Sequence, residues 1–377
     1  MENQSERALS VEGAESAGVF ESAERAASTE SAERAASTES AVSAENAESA
    51  VNVAPVGFQS CDEKTAIKGL IWTPVDVRGA RGSRAHMSQH PRGIVQIAHG
   101  MTEHVGRYDE LARFLAVRGF VVCAADHIGH GKSVASADEL GVLPVCGKDI
   151  LIGDVHELRR IVEGRYPRQV PYILFGHSMG SFIARAYLAR HGQGVAAAVL
   201  CGTGQQPIIV SRAGNLLARA LAALKGADYR SSLLDRLGVG AYAHQIADAR
   251  TPFDWLCTDD AVVDTYRADD LCGVMFSVGG YAALTSLTAE VASRSCARKV
   301  PSNLPLLFVA GACDPVGDFG AGVQRAADLA RRAGSRQVDV RLYEGMRHEI
   351  LNEPGRRQVF EDIAVWMEDN ACQQRMS

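Results

Sequence analysis

Tyr172 to Arg190 reads YILFGHSMGSFIARAYLAR: an apolar run breaks at Gly176-His177-Ser178-Met179-Gly180 and resumes with helical periodicity. This predicts a strand, a sharp turn and a helix. A G-x-S-x-G pentapeptide in that setting is a nucleophile elbow. Its serine takes a strained backbone conformation, tolerable because Gly176 and Gly180 let strand and helix approach closely. Ser178 is thereby projected off the sheet as a candidate nucleophile.

Outward from this stretch, short apolar runs alternate with helical segments. Strands are expected at Ile94 to Ala98, Phe120 to Ala125, Val195 to Cys201, Leu304 to Ala310 and Val338 to Tyr343. Helices are expected at Tyr108 to Arg118, Asp154 to Arg165, Met179 to His191, Gly320 to Ala333 and Gly355 to Asp369. Such alternation implies an α/β fold with a mostly parallel central sheet and helices on both faces. Before it, FQSCDEKTAIKGLIWTP reads as a strand pair turning at Cys61 to Lys64, and Val77 to Arg92 as an irregular connection. From Gly202 to about Val300 the rhythm becomes helical, which reads as an inserted cap. The expected organisation is a tail over residues 1–55, a core over 56–201 and 301–372, and a helical cap over 202–300.

The 377 residues are 46% hydrophobic and 22% charged, a soluble globular composition. The net charge of -6 is uneven: residues 1–50 carry eleven Glu against three Arg, a balance of -8, which leaves about +2 for the remainder. That tail repeats ESAERAAST at Glu21 to Thr29 and Glu30 to Thr38. With so few large apolar side chains it is expected to be a disordered acidic tail dispensable for catalysis, the alternative being a docking arm for an unnamed partner. No basic stripe suggests nucleic-acid binding. Nine cysteines without a C-x-x-C pair favour reduced thiols. The first residues lack the basic and apolar regions of a secretory leader and no apolar run of about 18 residues occurs in this sequence, so a leader or membrane span is not expected and the expected location is the cytoplasm.

A serine hydroxyl needs a general base and a group that orients the base. In the α/β-hydrolase arrangement the chain order is Ser, acid, His, each on a loop after a strand. Asp314 follows the strand ending at Ala310, and His348 follows the strand ending at Tyr343. The 34 residues between them accommodate one helix and one strand, so both loops reach the same sheet edge. Asp318 is the nearest rival acid, but Asp314 more directly follows the strand. Asp126 precedes Ser178 and is read as fixing a loop. The oxyanion donors are expected to be the backbone N–H groups of Met179 and of Met101, with Gly100 allowing the turn and His99 in a structural hydrogen-bonding role.

His99 to Tyr108 (HGMTEHVGRY), Asp126 to Ser133 (DHIGHGKS), Gly176 to Gly180, Asp314 to Gly317 and Glu344 to Glu349 (EGMRHE) together resemble the monoacylglycerol lipase and lysophospholipase group of α/β-hydrolases, the serine aminopeptidase S33-like group, in its bacterial branch. The resemblance spans roughly residues 57–370. It implies a serine esterase acting on single-chain lipid esters without metal or cofactor, through the same Ser178, Asp314 and His348 and the same oxyanion pair. A peptidase, thioesterase or small-ester esterase using that triad is the alternative, because Asp259, Asp260, Asp264, Asp269, Asp270 and Glu290 in the cap could meet a free amine. A non-catalytic binding protein of the same fold is a third reading. On Ala213 to Lys225, Leu216, Leu217, Ala220, Leu221 and Leu224 share one face, which would roof an acyl pocket, touch a membrane surface transiently, or pack within the cap. The cluster Trp255 to Asp259, with Tyr266 and Leu271 to Gly273, offers no role from sequence.

Overall fold

A computed structural model describes residues 51–76, 86–87 and 90–372; the repeats of the tail lie outside them. Nine strands form the sheet among the described residues: β1 (Val51–Gln59), β2 (Ala66–Asp76), β3 (His86–Met87), β4 (Gly93–Ala98), β5 (Phe120–Ala125), β6 (Tyr172–His177), β7 (Val195–Cys201), β8 (Leu306–Gly311) and β9 (Val338–Tyr343). Their order is β1-β2-β5-β4-β6-β7-β8-β9, with β3 beside β2. β1 and β2 pair antiparallel, β2 pairs antiparallel with β5, and all pairings from β5 to β9 are parallel.

The hairpin begins at Val51, five residues before the expected start at Val56. Pro55 looks like a breaker in the sequence, yet it pairs with Leu70. β1 lies at the end of the sheet, where a missing N–H costs no ladder bond. The turn is held by Asp62, whose Oδ1 accepts from the N–H groups of Lys64 and Thr65, both at 2.8 Å.

β4, β5 and β6 are buried along their whole length, which is why they read as continuous apolar runs. Successive residues feed two cores. Val95, Val122 and Ile173 face α1 (Asp109–Val117) and the C-terminal helix α11 (Arg356–Met367). Ile94, Val121 and Leu174 face α2 (Gly147–Glu163), α3 (Met179–His191) and α10 (Ala321–Ala333). α2 starts seven residues before the expected Asp154, burying Leu151 and Ile152 in its first turns. Gly153 resembles a helix boundary, but a Cβ there would lie 2.7 Å from the Cys61 sulfur, so the helix keeps a glycine at a close approach.

The insertion is helical as expected: α4 (Ile208–Lys225), α5 (Ser232–Leu237), α6 (Gly240–Ala243), α7 (Asp260–Ala268), α8 (Val278–Val291) and α9 (Arg294–Ala297). α8 is part of the main core, burying Val278, Ala282, Ala283, Leu287 and Val291. α4 lies on α8 through small and polar residues: Ala218 is buried, and Asn215 donates to the Ala282 carbonyl at 2.7 Å. The leucine face is split: Leu216 and Leu224 are 72% and 80% exposed, while Leu221 packs against the core.

Candidate active site

The elbow joins β6 to α3. Ser178 has φ 53° and ψ -121°, a left-handed conformation that non-glycine residues rarely adopt. Its N–H bonds the Cys201 carbonyl at 3.0 Å, and its carbonyl accepts from the Ser181 N–H at 2.9 Å and the Ser181 hydroxyl at 2.6 Å. The flanking glycines are a steric requirement. A Cβ on Gly176 would lie 2.3 Å from the Gly180 oxygen, and one on Gly180 would lie 2.0 Å from the Ala98 oxygen. Gly180→Ala is therefore expected to cost more than about 3 kcal/mol. Chemical denaturation checks this, and an unchanged midpoint would show that strand and helix can separate there at no cost.

His348 and Asp314 meet at the C-terminal ends of β9 and β8, both essentially fully buried. His348 Nδ1 donates to Asp314 Oδ2 at 2.9 Å, while Asp314 Oδ1 accepts from the Val316 N–H at 2.8 Å. Because the carboxylate takes the Nδ1 proton, the lone pair falls on Nε2. That nitrogen is buried without a hydrogen-bond partner among the described residues. A Cβ on Gly202 would lie 3.1 Å from His348 Cε1, so the β7 loop closes against the imidazole. The rival acid Asp318 instead pairs with Arg325 at 2.7 Å.

The loop after β4 adjoins the serine: a Cβ on Gly100 would be 3.0 Å from Ser178 Cβ. Met101 is half-buried and Met179 fully buried. His99 is buried and holds this loop. Its Nε2 accepts from the His127 N–H at 3.0 Å, so its Nδ1 donates to the Gly100 carbonyl at 2.8 Å. Burial, with neighbouring His130, pushes its pKa down to about 3, so it stays neutral. Asp126 accepts from the N–H groups of Val105 and Lys132, both at 2.8 Å, fixing the loop that follows β5.

Sequence reasoning missed the charged cluster behind the site. Glu103 accepts from Gly100 N–H, from Tyr108 OH at 2.7 Å and from Arg107 at 2.9 Å, and lies 3.3 Å from His177 Nδ1. Arg107 also grips both oxygens of Glu349, the neighbour of His348, at 2.5 and 2.6 Å. Burial opposes the charge on Glu103, but the His177 hydrogen bond and the Arg107 cation outweigh it and hold the carboxyl well below its usual range. His177 is raised for the reciprocal reason: burial would lower it, but hydrogen bonding to Glu103 and its charge prevail. His177 Nε2 also bonds the His348 carbonyl at 3.4 Å. The cluster thus ties the Gly100 loop, the elbow and the His348 loop together.

The uninterpreted cap cluster also acquires a place. The His348 N–H bonds the Trp255 carbonyl at 3.4 Å and the Glu349 N–H bonds that of Leu256 at 2.7 Å. The Trp255 ring packs on the His348 imidazole with centroids 5.0 Å apart. Tyr266 OH donates to the Thr102 carbonyl at 3.0 Å. His104, Asp269 and Cys272 bring one ligand atom each within 4.8 Å of one another, but the neighbouring Arg107 charge opposes a cation there. A cleft of about 840 Å³ between α4 and α10 is lined by Gln205, Tyr242, Pro315 and Arg325 but by none of Ser178, Asp314 and His348.

Residues 89–355 match the model of the family described as Serine aminopeptidase, S33. The chain is 32% identical to the monoacylglycerol lipase of Mycolicibacterium smegmatis over 304 residues, 79% of this chain and 91% of that one. It is 27% identical to human monoglyceride lipase over 281 residues, 74% of this chain and 82% of that one. Among solved structures, a thermostable carboxyl esterase from Bacillus coagulans superposes with a TM-score of 0.75 at 32% identity, covering 85% of this chain and 99% of the esterase.

Proposed function

Because the chain belongs to the serine aminopeptidase S33 family of α/β-hydrolases and is a carboxylic ester hydrolase, we propose that it cleaves single-chain lipid esters of the monoacylglycerol or lysophospholipid type through an acyl-enzyme on Ser178. The observation that carries the reading is the His348–Asp314 pair, with a vacant basic nitrogen at the same sheet edge as the strained serine. His348 Nε2 takes the Ser178 proton as the hydroxyl attacks the ester carbonyl, and Asp314 orients and stabilises the imidazolium. The Met101 and Met179 N–H groups receive the developing oxyanion. The imidazolium then protonates the leaving alcohol. Water, deprotonated by the same nitrogen, releases the fatty acid.

An ester rather than an amino-terminal substrate is favoured by the cap acids. Asp260 and Asp264 lie against Arg250, Asp269 bonds His104, and Glu290 bonds Lys148 and Arg190. These pairings engage four of the six cap acids and leave only Asp259, whose Oδ1 caps α7 at the Ala261 N–H, and the exposed Asp270 to meet a free amine. The two named relatives are a monoacylglycerol lipase and a monoglyceride lipase, and the Bacillus esterase was solved in complex with glycerol. A panel of monoacylglycerols, lysophospholipids and aminoacyl amides at matched concentration tests the assignment. Hydrolysis of the lipid esters is expected, and preference for the amides would overturn it.

No helix among the described residues is long and apolar enough to cross a membrane, and we place the enzyme in the cytoplasm. The outer face of α4 carries exposed Ile209, Leu216 and Leu224, and we assign it to transient contact with lipid surfaces. Leu216→Asp with Leu224→Asp is expected to lower turnover of vesicle-borne monoacylglycerol several-fold and to spare a soluble short-chain ester. Equal effects on both substrates would remove the surface role.

A further inference from the structure

Trp255 is 7% exposed, and its Nε1 is buried without a hydrogen-bond partner among the described residues. A buried N–H left unpaired is costly, and tryptophan in a core normally finds an acceptor for it. The position makes the vacancy informative. The indole ring lies 5.0 Å from the His348 imidazole, centroid to centroid and tilted by 46°. It is locked there: Tyr242 packs on it at 5.2 Å, and its carbonyl accepts from the His348 N–H. Two buried nitrogens without partners, Trp255 Nε1 and His348 Nε2, therefore sit on adjoining rings.

The two are chemically complementary toward one ligand. His348 Nε2 must reach the ester oxygen of the leaving alcohol to protonate it, and the Trp255 ring packed on that imidazole is a neighbour within reach of the groups the alcohol carries. An indole N–H can only donate, so its partner must be an acceptor. The ester oxygen belongs to the imidazolium. The remaining acceptors within that reach are oxygens carried by the alcohol itself, such as the free hydroxyls of a glycerol monoester. We propose that Trp255 Nε1–H binds an oxygen of the leaving alcohol beyond the ester oxygen, making the site selective for polyol esters over plain alkyl esters of the same acid. Tryptophan at this position acts on the alcohol and leaves the acyl chain unread. The proposal rests on the esterase reading and adds the group that recognises the leaving alcohol.

The test compares full-length wild-type protein with Trp255→Phe, which retains an aromatic ring over His348 and removes the donor. Both are assayed on the glycerol monoester and the methyl ester of one fatty acid. In the wild type, kcat/KM is expected to be higher for the glycerol ester, and in the variant the ratio of the two values is expected to fall about tenfold, the order of one neutral hydrogen bond. A loss of the same size on both esters would make Trp255 a packing residue of His348 and overturn the proposal. An unchanged ratio with full activity would overturn it as well. Should the variant not fold, the wild-type ratio decides: no preference for the glycerol ester refutes the assignment. Wild-type protein inert toward both esters refutes the esterase reading instead, so the two failures are distinguishable.

Discussion

Ser178→Ala is expected to lower kcat on p-nitrophenyl acyl esters by about 10⁴- to 10⁶-fold while leaving the protein folded. The magnitude follows from losing the covalent route altogether, since removal of a triad nucleophile leaves only binding and oxyanion stabilisation. Structural damage is expected to be small for a particular reason. The bonds that hold the elbow in its left-handed turn run through the backbone of Ser178, to the Cys201 carbonyl and from the Ser181 N–H and hydroxyl. Alanine keeps every one of them. It also carries the same Cβ, 3.0 Å from where a Cβ on Gly100 would lie, so the adjoining loop is undisturbed. The checks are steady-state turnover, circular dichroism and labelling by a fluorophosphonate probe, which should mark the wild type and not the variant. Undiminished turnover in the folded variant would sink the nucleophile assignment, and failure of folded wild type to label would favour a non-catalytic protein of this fold.

What could be read from the sequence has a physical boundary. β5, α3, β7 and β9 have the expected limits because each is an apolar or periodic run punctuated by glycine, proline or charge. Ser178, Asp314 and His348 could be proposed in that order because each residue follows a strand, a purely local signal. Arg107 and Glu349 are 242 positions apart, and nothing in either neighbourhood announces that one grips the other. The contact of Trp255 with His348 is likewise a product of the cap folding back on the sheet. The cap helix shows a subtler limit. Periodicity identifies which side of α4 is apolar, but not whether that side is the one buried. The small residues opposite it made the closer packing on α8 and left Leu216 and Leu224 outward. At β1 the expected start at Val56 was five residues late: the strand runs back through Pro55, which its place at the sheet edge tolerates.

Asp314→Asn carries the second large effect, and it separates orientation from mere bulk. In the native site the two carboxylate oxygens have different partners: Oδ1 accepts from the Val316 N–H and Oδ2 accepts from His348 Nδ1–H. An asparagine of the same shape has one oxygen and one NH₂. With the oxygen toward Val316, where a backbone donor cannot change its character, the NH₂ points at His348 Nδ1. The imidazole can accept that bond only as the opposite tautomer, which places its proton on Nε2 and removes the lone pair meant for the Ser178 hydroxyl. Turning the amide over would restore the tautomer but set NH₂ against the Val316 N–H, two donors face to face at a buried site. The first arrangement is expected to prevail, with kcat falling about 10⁴-fold and the fold retained. Recovery of rate as pH rises would fit deprotonation of the Ser178 hydroxyl by hydroxide in place of His348, whereas a variant retaining more than about a tenth of wild-type kcat would show that His348 is oriented without Asp314. In that event the remaining hold on the imidazole must come from Trp255 packed against it and from the backbone bonds of the Glu349 loop.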